Sequence, residues 1–185
     1  MRLRKIVIMI LFSIIYSIGC ITQPITFASS TSHSSYKINR YSKPIPIEQL
    51  KIGGVGIGDS LDYVKSIYGE PSIVGKKVKN YLYEGITYDV SYGDSFLLKV
   101  LIESDGTENI VNINSTANNG LAMPCGIKVG SPIGDMYKKF GMPWRTNFKK
   151  DGTYSYAYRT DYTTKILFTT NKDHLITRID IIGME

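Results

Sequence analysis

The sequence predicts an α+β protein of two tandem repeats. Each is a short helix followed by a three- or four-stranded antiparallel sheet, with the helices packed on one face. Three observations predict it. Residues 54–71 and 126–143 align without a gap, with identities at Gly54/Gly126, Gly58/Gly130, Gly69/Gly141 and Pro71/Pro143. Val55/Ile127, Ile57/Val129, Leu61/Ile133, Val64/Met136 and Tyr68/Phe140 keep apolar character. Matches at turns and at helical spacing are what a repeated structural unit requires. In both copies an apolar stripe is closed by Gly-x-Pro, and the runs that follow are rich in tyrosine and β-branched residues at period two.

The chain opens with Arg2, Arg4 and Lys5 ahead of the uncharged run Ile6 to Gly19, which is shorter than the ~20 residues a helix needs to cross a bilayer. This reads as a signal peptide, residues 1–28. Thr26-Phe27-Ala28 supplies small residues for cleavage after Ala28; alternatively, Ser17-Ile18-Gly19-Cys20 partly resembles a bacterial lipobox, with Cys20 the lipidated residue. Either way Cys125 is left without a disulfide partner, and neither His33 nor His174 is placed by sequence to activate it, so a structural thiol is expected. The expected location is extracytoplasmic: secreted, or attached to the envelope if Cys20 is lipidated. A membrane is involved only through the signal peptide or that lipid.

Residues 29–47 are polar and aperiodic as far as Lys43 and read as a flexible linker, with Pro44-Ile45-Pro46 forcing extended backbone at its end. The first repeat, 48–119, starts with glycines between apolar residues. Asp59 suits a helix N-cap, and Leu61, Val64, Ile67 and Tyr68 form a stripe. Gly69 and Pro71 end the helix, giving 60–68. A helix this short must be held by a sheet. Strands are expected over 77–84, 86–92, 96–103 and 108–114, with Gly93-Asp94-Ser95 and Ser104-Asp105-Gly106-Thr107 as turns. The second repeat, 120–185, has Ser131 as N-cap and Pro132 at the first helical position. Its stripe is Ile133, Met136, Tyr137 and Phe140, and strands follow over 153–159, 163–170 and 174–182.

The helix ends resemble a known family. Gly58-Asp59-Ser60-Leu61 through Gly69-Glu70-Pro71 with Tyr81 and Tyr83, and Gly130 through Gly141-Met142-Pro143 with Tyr156 and Tyr158, resemble the SmpA/OmlA (BamE-like) domain. In tandem they resemble the β-lactamase-inhibitor-protein-like fold. The resemblance covers most of residues 52–182. It implies a non-catalytic role, with helices on one side, a sheet on the other, and protein binding in the envelope or outside the cell.

The residues themselves point the same way. The chain carries 14 tyrosines in 185 residues, and Tyr81, Tyr83, Tyr88, Tyr92, Tyr154, Tyr156 and Tyr158 all fall on or beside expected strands. Tyrosine combines large contact area with few rotors and a polar tip, so those that period-two alternation leaves outside form a candidate binding surface. The rest pack under the helices. Trp144, directly after Pro143, reads as a plug between helix and sheet or, if exposed, as a binding anchor.

Other classes find little support. Without the leader's three cations, 19 basic residues face 16 acidic ones, too even and too dispersed for nucleic acid. Gly54-Val55-Gly56-Ile57-Gly58 fits neither phosphate-binding glycine pattern. No HExxH, CxxC or GxSxG occurs, so no catalytic, metal or cofactor-binding residue is assigned and no cofactor is expected. The expected function is a non-catalytic, exported module binding an unidentified envelope or extracellular protein. The alternatives are a cell-wall or glycan-binding module, or a small secreted hydrolase.

Overall fold

The computed structural model describes residues 44–160 and 163–183. The expected signal peptide, Cys20 and residues 29–43 lie outside them. In chain order the elements are β1 (Lys51–Ile52), β2 (Val55–Gly56), α1 (Leu61–Tyr68), β3 (Ile73–Val74), β4 (Val78–Asn80), β5 (Gly85–Tyr92), β6 (Phe96–Ile102) and β7 (Glu108–Ser115). Then come α2 (Ile133–Phe140), β8 (Arg145–Phe148), β9 (Tyr154–Arg159), β10 (Thr164–Thr170) and β11 (Ile176–Gly183).

The expectation of two tandem repeats, each with its own sheet, is overturned. All strands after the β1–β2 ribbon join one nine-stranded antiparallel sheet in the order β3-β5-β6-β7-β11-β10-β9-β8, with β4 also on β5. The joint is the β7–β11 pair, where Ile113 lies opposite Ile181 and Asn114 opposite Asp180. Two separate sheets would each leave the last strand's ladder groups and isoleucines unshared; edge-to-edge pairing satisfies both at once.

There is accordingly one core. Leu98, Val100, Ile113, Ile166, Phe168, Ile179 and Ile181 from one sheet face meet Leu61 and Val64 of α1 and Met136 of α2 in a single buried cluster. Ring contacts fix the helices to that face: Tyr68 to Phe96 at 5.6 Å, Tyr137 to Tyr156 at 6.1 Å, and Phe140 to Phe168 at 6.0 Å. The opposite face, carrying Asp89, Lys99, Asn112, Asn114, Asp180, Lys165 and Arg159, has no helix over it.

The aligned glycine corners do the same local work. Gly58 N–H donates to Ile110 O at 2.8 Å and Ile110 N–H returns a bond to Asp59 O at 2.9 Å. Gly130 N–H donates to Ile176 O at 2.7 Å and Ile176 N–H to Ser131 O at 2.9 Å. These glycines have φ of 85° and 93°, the left-handed region that costs other residues most. The expected caps are displaced by one residue. Asp59 Oδ2 accepts from Gly56 N–H (2.8 Å) and Ser131 Oγ from Lys128 N–H (3.1 Å), so both side chains close the preceding turn. Ser60 is the N-cap of α1, accepting from Tyr63 N–H at 3.2 Å, and Pro132 occupies the N-cap of α2.

Other boundaries move as well. The strand expected over 77–84 shrinks to β4, because residues 81–84 turn and Glu84 takes φ 46°. The short strands β1, β2, β3 and β8 lie outside every expected strand span. Residues 44–47 of the expected linker belong to the fold: Ile45 is 1% exposed and its N–H donates to Arg159 O at 3.0 Å.

Candidate interaction surface

The surface begins where α2 ends. Gly141 at φ 73° donates to Tyr137 O and Pro143 bars further helix, so the chain leaves extended. Trp144 N–H then reaches Ala157 O at 2.9 Å, and β8 runs antiparallel to β9 with Arg145 opposite Ala157 and Phe148 opposite Tyr154. A tight turn closes the hairpin. Gly152, φ 84°, donates to Lys149 O, Lys149 N–H donates to Thr153 O, and Asp151 Oδ1 accepts from both the N–H and the hydroxyl of Thr153. Those two bonds hold the Asp151 carboxyl below its ordinary range.

β8 is the last strand on its side of the sheet, and all four of its residues are exposed. It bears two large aromatic neighbours. Trp144, 56% exposed, carries the Arg159 guanidinium 4.3 Å from its ring centroid. Phe148, 63% exposed, lies 4.9 Å from Tyr154, which in turn contacts Tyr156 and His174.

Charge on the open face is uneven. In the first half Lys99 pairs with Asp89 at 2.6 Å, directly across the β5–β6 ladder. At the seam Asp180 accepts from Asn114 and from Arg178, which raises the Arg178 pKa through those hydrogen bonds. In the second half Lys165 stands directly opposite Arg159 in the β9–β10 register. Like charges facing each other across strands are destabilising. Among the described residues, Lys165, Arg159, Arg145, Lys149 and Lys150 form no ion pair.

The aromatic residues nominated from sequence divide sharply. Tyr88, Tyr156 and Tyr158 are core, at 4%, 3% and 1% exposure, and cannot meet a partner. Burial drives the Tyr158 phenol upward, and its hydroxyl donates to Gly141 O at 2.8 Å. Burial, together with Glu108, raises Tyr88 likewise. Nearby Tyr137 is pushed up to about 12 by burial and by Tyr156. Tyr92 packs on Tyr68 and Phe96 while donating to Gly69 O. Tyr83 reaches over the open face, donating to Gly183 O at 2.9 Å and Asn112 Oδ1 at 3.2 Å. Tyr81, 84% exposed, sits at the opposite edge of the sheet from Trp144 and Tyr154. Of the nominated residues only Trp144 and Tyr154 therefore lie at the β8 end without being buried, one at each end of the strand, and the structure adds Phe148, Arg145, Arg159 and Lys165, which sequence reading missed. The one sequence signal, the cluster of basic and aromatic residues over 144–150, covers Arg145 and Phe148 but neither Arg159 nor Lys165.

The far edge is a weaker candidate. Ile73, Val74, Val78, Leu82 and Ile86 are exposed there, yet Lys77 pairs with Glu108 and lies over Tyr88, and Lys79 lies over Tyr81. A cleft of about 180 Å³ lined by Cys125, Gly126, Ile127, Ser131, Asp135, Lys138 and Lys139 is small against the ~300–1,000 Å³ of ligand pockets. Three of its polar side chains are already engaged, Asp135 with Lys138 and Ser131 with Lys128 N–H. Among the described residues no group of three metal-ligating side chains converges, and no helix is long and apolar enough to cross a membrane.

No family model matches the chain, and no curated protein matches its sequence. Solved structures do. The chain is similar to a DUF4309 family protein from Bacillus subtilis, with 16% identity and TM-score 0.41, covering 70% of this chain and 82% of that one. It is also similar to an extracellular protein containing an SCP domain from Bacillus anthracis, with 12% identity, TM-score 0.44 and 69% of this chain covered. A third is a cysteine-rich secretory protein from Staphylococcus aureus, with 12% identity, TM-score 0.46 and 76% of this chain covered. The chain spans 44% and 50% of the lengths of the latter two. Likeness at this level assigns no activity. None of the three is described as BamE-like or β-lactamase-inhibitor-like, so the resemblance drawn from the helix ends gains no support from them.

Proposed function

We propose that this chain is an exported, non-catalytic protein-binding module of the bacterial cell envelope or secreted fraction, and that the β8 end of its sheet is the binding surface. The observation that carries this reading is the β8 strand itself: exposed at every residue, with the large aromatics Trp144 just before it and Phe148 at its end, and accompanied by Arg145, Arg159 and Lys165, which form no ion pair among the described residues. Exposed aromatic and arginine side chains are the residue types that anchor protein interfaces. Export rests on the leader composition, Arg2, Arg4 and Lys5 before an uncharged run. Lipidation at Cys20 is the envelope-attached form of the same proposal. The glycan-binding alternative uses the same ledge, with sugar stacked on the face of Trp144 opposite Arg159.

The test is capture with crosslinking, using the chain from Ser29 onward as bait in an envelope extract. A specific protein is expected to be retained, with retention cut about tenfold or more by Trp144→Ala with Phe148→Ala, as loss of two anchors implies. If nothing is retained above background and the chain instead co-sediments with peptidoglycan, the glycan reading replaces this one.

A further inference from the structure

We propose that the free edge of β8 takes up an extended, acidic segment of a protein partner as an added strand. This deepens the protein-binding reading and rests on it. β8 pairs on one side with β9 and ends the sheet on the other, so its outward N–H and C=O groups form a ready ladder. Main-chain bonds to such an edge supply affinity, and pockets for alternate side chains supply specificity.

Charge selects the occupant. On the open face Arg145 lies opposite Ala157, two residues from Arg159, which faces Lys165. Arg145 on the edge strand, Arg159 one strand in and Lys165 two strands in thus put three cations on one corner of the face, with Lys149 and Lys150 in the turn at the end of β8. Crowding of this kind costs stability in the free protein and is relieved by carboxylates. A second copy of the chain would set Arg145, Lys149 and Lys150 against themselves. The chain's own residues 29–43 contain Lys37, Arg40 and Lys43 and no acid, so their charge is not complementary either. An acidic strand is complementary. Because strand side chains alternate, its acids would lie on the open face with Arg145, and its intervening residues on the face of Phe148. The expected ligand therefore alternates acidic and apolar residues.

The probe is a synthetic peptide of alternating glutamate and valine, added to the chain from Ser29 onward. Two readouts follow it: the emission of Trp144, the sole tryptophan, and backbone amide shifts of β8. Saturable changes in β8 amides are expected. Binding should weaken about tenfold or more for a peptide of the same composition with its glutamates in one block, and for the alternating peptide N-methylated along its backbone, since several ladder bonds are lost. Arg145→Glu, at an exposed position, and Lys165→Glu, at a half-buried position on the open face, should weaken it similarly while leaving the far-ultraviolet spectrum unchanged. Absence of any shift in β8 overturns the proposal. So does equal binding of the blocked, the N-methylated and the alternating peptides, or of polyphosphate, which would make the corner a general anion site. If the peptide fails but the captured envelope protein is still retained by the Arg145→Glu and Lys165→Glu variants, strand addition falls and the protein-binding reading stands.

Discussion

Ile181→Asp is expected to unfold both halves of the sheet together, while Ile182→Asp leaves the protein folded. Ile181 is 0% exposed, with Ile113 opposite it on β7 and Ile166 on β10. A carboxylate there has no cation within the core, and the cost of burying it is several kcal/mol, comparable with the whole ~5–15 kcal/mol that holds a domain folded. Ile182 points to the other face, between Asn112 and Lys165. An aspartate at that position stays hydrated and gains a lysine neighbour. Circular dichroism and Trp144 emission should be lost in step for the first variant and kept for the second. Survival of the Ile181→Asp protein with native signals would mean that this strand is not at the centre of the fold.

Gly53→Val is expected to destabilise by about 3 kcal/mol, the sum of two separate penalties. The first is conformational: Gly53 has φ 59°, and a β-branched residue in the left-handed region costs ~1–2 kcal/mol. The second is steric. A Cβ there would stand 2.3 Å from the Tyr68 hydroxyl and 2.9 Å from Leu121, and that hydroxyl donates to Gly53 O at 2.5 Å. Tyr68 would have to leave its place against Tyr92 and Phe96. Gly126→Ala provides the contrast, since a Cβ at Gly126 meets nothing within 4 Å and only the φ of 88° is penalised. Denaturant midpoints should separate the two variants by at least ~1 kcal/mol; equal midpoints would contradict the packing of Tyr68 over the β1–β2 turn.

These two sites mark what could and could not be read from the chain. Helix positions were legible because Gly69 with Pro71 and Gly141 with Pro143 punctuate them locally, and α1 and α2 lie within a residue of the expected spans. The pairing of β7 with β11 was not legible: the Asn114–Asp180 contact joins residues 66 apart, and nothing local distinguishes a shared edge from a free one. The tyrosines show a finer limit. Period two separates Tyr154, Tyr156 and Tyr158 from Ser155 and Arg159, yet it does not say which set faces the helices. In addition, register shifts at Lys99/Val100 and Thr169/Thr170 break the period where it would have to be carried across the sheet. β8 was missed because Arg-Thr-Asn-Phe has no alternation of its own. The strand exists because the Lys149–Thr153 turn and the Trp144–Ala157 bond hold it to β9. For the same reason the candidate surface, which depends on that strand and on the Arg159–Lys165 juxtaposition, emerged only from the fold.

The claim on which the rest depends is that the β7–β11 joint makes the two strand sets one cooperative body ending at β8. Native-state amide exchange tests it most directly. The account predicts that protected amides in the central strands β6, β7, β11 and β10, Leu98 and Phe168 among them, share one opening free energy equal to that of global unfolding. Exchange of β10 and β11 through a distinctly cheaper opening, with β6 and β7 still protected, would contradict it.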